Sequence, residues 1–230
     1  MQHEVEIRDL GSMAYSECWD LQRTLFDALC QKKAEKRFTD DEPRGTILIV
    51  EHPAVYTLGK SGHQENMLVT EEYLKSLGAE FFHIDRGGDI TFHGPGQLVC
   101  YPIIDLESIG FGIRRYIEVL EQSVIDLAAE YGIEAHRSEG ASGVWVTLPN
   151  KRLVKLCAIG VRASHSVTMH GLAMNVATDL KWFELINPCG FTDRGVCSLT
   201  TLCNREVTME EVKPKFINHL TKNLNVKYKK

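Results

Sequence analysis

Apolar positions along the chain fall into a few distinct blocks. Over residues 12–33 they recur at three- and four-residue steps through Ala14, Cys18, Leu21, Leu25 and Ala28 or Leu29, which predicts an amphipathic helix capped by Ser12. Two nearly continuous apolar runs follow, 46–51 and 55–58, separated by His52-Pro53, and predict buried strands joined by a tight turn. Residues 80–85 and 98–106 predict strands on either side of a glycine-rich stretch. The clearest helix is predicted over 113–131, where Ile113, Tyr116, Ile117, Leu120, Val124, Leu127, Ala128 and Tyr131 share one face. Residues 144–146 and 154–162 pair as strands around a Pro149-Asn150 turn, and alternation sets Lys155, Cys157, Ile159 and Val161 opposite Leu156, Ala158 and Gly160. A further strand covers 166–176. The last helix, 208–224, opens with Thr208 and Glu211 in capping-box spacing, and Pro214 is expected to end or shift its first turn.

Strands and helices therefore mix without regular alternation or internal repeat. The predicted fold class is α/β (α+β), a sandwich with a mixed β-sheet and packed helices, in one domain spanning residues 1–230.

Composition narrows the partners. Of 230 residues, 43% are hydrophobic and 25% charged, enough for a sizeable core, and the net charge of −5 argues against a nucleic-acid partner. No apolar run approaches the ~18 residues of a membrane span, and the N-terminal MQHEVEIRDLG lacks signal or transit character, so no membrane and a cytoplasmic location are expected. Seven cysteines are scattered without a CxxC pair, which fits reduced thiols. A zinc site from His165, His170, Cys197 and Cys203 lacks paired ligand spacing, and no metal is expected.

Chemistry concentrates in residues 86–97, RGGDITFHGPGQ, where Arg86, Asp89, Thr91, His93 and Gln97 are crowded among glycines. A glycine-rich hairpin and a binding loop both use such residues. Cys189, between Asn187-Pro188 and Gly190, reads either as a nucleophile beside an unobstructed N–H or as a small buried hydrophobe. Lys155 opens an apolar strand; it is either a solvated charge or the cation that a thiol of pKa ~8.5 needs to ionise.

With RGG, two further residues, Thr, an aromatic and HGPGQ, the stretch resembles the signature of the lipoyl(octanoyl) transferases, Phe92 standing where Tyr is frequent. The order of Glu51-His52-Pro53, 86–97, Lys155 to Gly160, His170 to Ala173 and Pro188-Cys189-Gly190 follows that family through most of the chain. The resemblance implies the fold of biotin- and lipoate-protein ligases. It implies transfer of octanoyl from octanoyl-acyl carrier protein to a lysine of lipoyl domains, those of 2-oxoacid dehydrogenase complexes and glycine cleavage H protein. Cys189 would carry the acyl thioester, and Lys155, in K-x-x-A-I-G, would be the catalytic lysine. Arg86, Gly87, Gly88, Asp89, Ile90, Thr91, Phe92, His93, Ala158, Ile159, Gly160, Gly171, Leu172 and Ala173 would bind the acyl substrate; the role of His93 stays open. No ATP, metal or organic cofactor is implied. The rivals are an ATP-dependent ligase on the same fold, which needs no cysteine, and a noncatalytic acyl-binding protein. An acidic carrier would dock on a basic cluster drawn from Arg114, Arg115, Arg137, Lys151 and Arg152.

Overall fold

In the computed structural model the described residues are 3–39, 42–187 and 194–229, so Pro188, Cys189 and Gly190 lie outside them. The elements run β1 (Glu4–Ser12), α1 (Tyr15–Ala34), β2 (Gly45–Glu51), β3 (Val55–Leu58), α2 (Glu71–Ser76), β4 (Glu80–His83), β5 (Ile90–His93), β6 (Gln97–Ile104), α3 (Ile113–Glu130), β7 (Ala135–Ser138), β8 (Ala141–Thr147), β9 (Leu153–Ser164), β10 (Val167–Asn175), β11 (Gly195–Val196), α4 (Leu199–Cys203), α5 (Met209–Leu224) and β12 (Lys227–Lys229). They form a nine-stranded mixed sheet in the order β12-β1-β2-β6-β10-β9-β8-β7, with β11 beside β9, and a three-stranded sheet β4-β3-β5. The mixed α/β architecture is the one that the unordered succession of strand and helix patterns implies.

Each face of the large sheet has its own core. Val5, Ile47, Leu98, Cys100, Leu156 and Met174 pack under α3 and α5 through Leu120, Val124, Phe216 and Leu220. On the other face Leu48, Val50, Val99, Met169 and Ala173 meet Cys18, Phe26 and Leu29 of α1. Tyr15, Val55 and Ile84 join α1 to the small sheet.

Several local expectations are corrected. Ser12 ends β1 instead of capping α1; the cap position is Ala14, which makes no side-chain bond. The strand was hidden because only Val5 and Ile7 are buried among the charged residues of EVEIRD, and its backbone is held by parallel pairing to β2 and β12. The buried stripe of α1 is Tyr15, Cys18, Gln22, Phe26 and Leu29, about one position round from the predicted one. Ile113 is 43% exposed, so the packed stripe of α3 begins at Tyr116. β2 and β3 are not a hairpin: at His52-Pro53 the chain leaves the large sheet for the small one. Nor do 86–97 join neighbours in one sheet, since β5 pairs antiparallel with β3, and β6 with β2 and β10. Pro214 lies inside α5, which continues through it, and the burial of Val212, Phe216, Leu220 and Leu224 offsets the missing hydrogen bond. Thr208 does cap α5, its hydroxyl accepting the Glu211 N–H at 3.3 Å.

Gly171 in β10 shows how closely the strands approach. A Cβ there would meet the Cys100 carbonyl oxygen at 2.2 Å and Pro102 Cδ at 2.8 Å. We expect Gly171→Ala to destabilise the protein by about 1–3 kcal/mol, because the β6 backbone at Cys100 and the Pro102 ring must shift. Urea denaturation of the two proteins measures it, and equal midpoints would contradict the packing argument.

Candidate active site

A cavity of about 470 Å³ lies between the two sheets, and Lys155, Arg86, His93, His170 and Tyr15 line it together with the small residues Ala158, Gly160, Gly171 and Ala173. The gap is roofed by the 86–97 stretch. Gly87 donates its N–H to the Val161 carbonyl at 2.9 Å, and a Cβ on Gly160 would lie 2.8 Å from the Gly87 oxygen. The roof is therefore stitched to β9 at a distance only glycine permits.

Within the roof, polar side chains satisfy the chain itself. Buried Arg86 donates from Nη2 to the Thr57 carbonyl at 2.7 Å and hydroxyl at 3.0 Å, and from Nη1 to the Gly87 carbonyl at 3.1 Å. Asp89 accepts from the Ile90 N–H, the His63 N–H and Asn66 Nδ2 at 2.7, 3.2 and 2.5 Å. The HGPG turn is held by Glu51, whose carboxylate accepts the Gly96 N–H at 3.1 Å, and Gly96 itself has φ +77°. Such a frame keeps the turn in place without demanding a ligand.

Beneath the cavity lies a buried polar floor. Gln97 donates through Nε2 to the Phe92 carbonyl and to Asn175 Oδ1, so its Oε1 accepts from His93 Nδ1 at 2.8 Å. That fixes the His93 tautomer and leaves Nε2 as the acceptor. His52 donates from Nδ1 to the Met13 carbonyl at 2.8 Å and accepts the Tyr101 hydroxyl at Nε2, 3.0 Å. His170, at φ +61°, sets Nε2 2.9 Å from Asp85 Oδ1, while Arg162 pairs with the other Asp85 oxygen. Desolvation pushes the His52 pKa down to about 4 and that of His93 to about 3, the proximity of His52 adding to the second. Both rings are neutral at physiological pH.

Lys155 owes its direction to a β-bulge. Val144 pairs with Cys157 and Trp145 with Lys155, so Leu156 is the extra residue on β9. Strict alternation, which set Lys155 and Cys157 on one face, fails here: Leu156 and Cys157 both enter the core, and Lys155 lines the cavity with Ala158. The Lys155 side chain is 9% exposed and its Nζ sits 4.5 Å from the centre of the Trp145 ring. The guanidinium of Arg194 lies 5.1 Å from the same ring. Beyond the Cys189 segment, β11 runs parallel to β9, Val196 paired with Lys155, and Cys197 donates to the Lys155 carbonyl at 3.0 Å.

The described thiols are poor nucleophiles where burial acts on them. Desolvation raises Cys18 and Cys197 to about 12 and pushes Cys100 and Cys157 upward as well. Among the described residues no group of three or more His, Cys, Asp or Glu side chains could hold a metal ion, and no helix is long and apolar enough to cross a membrane.

Of the substrate positions named from sequence, thirteen line the cavity with Lys155, from Arg86 through Ala173, and Phe92 does not. Phe92 points into the small-sheet core, stacked on Trp182 at 5.3 Å and edge-on to Phe183. Alternation along β5 is the reason, since His93 faces the cavity and its neighbour must face away. Tyr15, Tyr101, Asn175 and Phe183 line the cavity without having been foreseen. Among these four, Asn175, which follows HGLAM directly within the predicted strand 166–176, is the one polar side chain that interrupts an apolar pattern.

The architecture is that of the lipoate- and biotin-protein ligases. It superposes on the bipartite lipoate-protein ligase of Thermoplasma acidophilum with TM-score 0.70 at 15% identity, covering 100% of this chain and 86% of that one, and on lipoate-protein ligase A bound with ATP at 0.70 and 16%, covering 100% and 88%. The biotin protein ligase of Aquifex aeolicus gives 0.54 at 14%, covering 95% and 70%. The lipoyl protein ligase A/B catalytic domain family matches residues 14–221. The octanoyltransferase of Bacteroides thetaiotaomicron is 51% identical over 219 residues, 95% of either chain, and that of Flavobacterium johnsoniae 48% over 224 residues, covering 96% and 97%. The chain belongs to this family as one of its octanoyltransferases, and is a transferase enzyme.

The buried histidines give stability a definite pH dependence. Their folded pKa values lie below the unfolded value of ~6.5, so the unfolded chain binds more protons as pH falls through 6.5. The folded state is fully favoured above that pH and loses about 2 kcal/mol per histidine by pH 5. Urea midpoints at pH 7.5 and 5 should differ accordingly, and His52→Asn should reduce the difference; an unchanged slope would mean that these rings are protonated in the fold.

Proposed function

We propose that the enzyme moves octanoyl from the thioester of an acyl carrier protein to Cys189, and then to the ε-amine of a lysine on a lipoyl domain. The observation that carries this reading is the position of Lys155: a nearly buried lysine at a cavity lined with small residues, its backbone hydrogen-bonded to the strand that follows residues 188–193 in the chain. The octanoyltransferase relatives support the acyl group. The lipoate-protein ligase from Thermoplasma acidophilum described with its E2 lipoyl domain supports the acceptor class. The reading takes residues 1–230 as one catalytic domain acting in the cytoplasm, on the lipoyl domains of 2-oxoacid dehydrogenase complexes and on glycine cleavage H protein.

In the first step the Cys189 thiolate attacks the donor's thioester carbonyl; the C–S bond to the carrier breaks, and the carrier leaves as a thiol once protonated. In the second the acceptor amine attacks the Cys189 thioester, an amide forms, and the Cys189 sulfur departs. Lys155 as ammonium stabilises the thiolate, and as amine takes the proton that the attacking nitrogen must lose. The bulge holds it at that place while its Nζ lies over the Trp145 ring. The cavity walls at Gly160, Gly171, Ala158 and Ala173 leave width for an aliphatic chain, and the donor thioester supplies the driving force, so no nucleotide is required.

Incubation with octanoyl carrier protein and no acceptor should add one octanoyl group at Cys189, with ping-pong kinetics once acceptor is present. Cys189→Ser should lose the adduct and turnover, whereas Cys157→Ser should retain both. An adduct at Cys157, or full activity in Cys189→Ser, would overturn the assignment.

Replacing Lys155 by Met should lower kcat by at least about a hundredfold, the scale of a lost acid–base group, and raise the reactive thiol's pKa toward ~8.5. Lys155→Arg should keep the thiolate but not the proton transfer. Alkylation rates against pH separate the two variants, and equal activity in all three proteins would exclude a catalytic lysine.

A further inference from the structure

A second, open cavity of about 660 Å³ adjoins the first, sharing Phe183 and Val196 with it. Leu68, Phe183 and Ile186 supply apolar surface, and Arg152, Lys181 and Arg194 supply cations, against the carboxylates of Asp179 and Glu184. Asp179 is turned to its own backbone, accepting the Lys181 N–H at 3.1 Å. Arg152 and Lys181 are exposed and make no ion pair among the described residues. The Arg152 guanidinium lies against bare backbone: a Cβ on Gly195 would sit 3.1 Å from its Nη2. Of the five cations expected from sequence to dock the carrier, Arg114 and Arg115 are engaged by Glu118 and Arg137 by Glu121. Unpaired positive charge therefore stands at this groove, with Asn187 and Gly195 beside it, and not on α3.

We propose that this groove binds the phosphodiester and pantetheine arm of the donor, with Arg152 and Lys181 holding the phosphate; the proposal rests on the reading that the donor is an acyl carrier protein. An arm of amides, a gem-dimethyl group and one phosphodiester matches a groove that is apolar along its floor and cationic at its rim. The lengths agree. Arg152 stands three residues before Lys155 on the way into β9, about 10 Å along the chain, within the roughly 15 Å of bonds that separate sulfur from phosphorus in the arm. Both ends of the substrate then meet one continuous channel, the acyl chain in the inner cavity and the arm in the outer one.

The test compares two small donors, octanoyl-pantetheine and octanoyl-4′-phosphopantetheine, in the wild type and in the double variant Arg152→Ala/Lys181→Ala. The readout is the ratio of second-order acylation rate constants within each protein, so a general loss of activity or folding cancels. The phosphate should favour acylation about tenfold in the wild type, the scale of two charge-assisted contacts, and less than about twofold in the variant. No phosphate preference in the wild type, or one that survives in the variant, overturns the proposal. So does a rise in KM confined to the lipoyl domain, which would make the groove an acceptor surface. If no adduct forms with either donor, the thioester reading fails by itself, and the same ratio is taken from overall turnover.

Discussion

One extra residue in β9 decides which side chains of this strand face the cavity and which the core. Because Leu156 has no partner of its own opposite Val144 and Trp145, the side chains on either side of it fall out of alternation. Lys155 turns toward the cavity, Leu156 and Cys157 stay in the core, and Ala158 resumes the cavity wall. Without the bulge a buried lysine would either face the apolar layer beneath α3, where an unpaired ammonium is costly, or drag Cys157 out of it. Trp145 completes the arrangement by presenting its ring to the ammonium.

Around that strand the protein is built from close approaches that tolerate no side chain. Gly160 meets the backbone of Gly87, and Gly171 that of Cys100. The first draws the 86–97 stretch onto β9, the second sets β10 close against β6 within the large sheet, and both keep the cavity walls smooth. Many of the polar groups left inside are answered locally: Gln97 ties His93 to Asn175, Asn175 reaches the Cys197 carbonyl at 3.1 Å, and His52 bridges Met13 and Tyr101, whereas buried His170 Nδ1 has no hydrogen-bond partner among the described residues. Satisfied in this way, the floor is rigid, and its imidazoles are held neutral by burial rather than available as strong bases.

The shared fold and the divergent sequence divide the explanation of function. At 13–16% identity the lipoate and biotin ligases define the architecture alone. What marks this chain is local: octanoyltransferases 48–51% identical to it define its class, and its own structure sets a nearly buried lysine at the inner cavity and Arg152 and Lys181 at the rim of an outer groove.

From sequence alone, the mixed α/β class, the main helices and the glycine-rich roof could be read, because periodicity and residue type report directly on local backbone and burial. Thr208 as a helix cap and the Pro149-Asn150 turn, closed by the Lys151 N–H to the Leu148 carbonyl at 2.8 Å, are of this kind. Other features depend on partners distant in the chain. β1 exists because β2 and β12 pair with it, and the departure of β3 from β2 into a second sheet leaves no mark on hydrophobicity. The faces of Lys155 and Cys157 were misjudged for the same reason: a bulge is a mismatch between two strands, invisible in either one. Tyr15 reaches the cavity because α1 packs across β6 and β10, and Tyr101 because β6 lies beside β10 in the large sheet, so their places are a product of tertiary packing and not of any spacing along the chain.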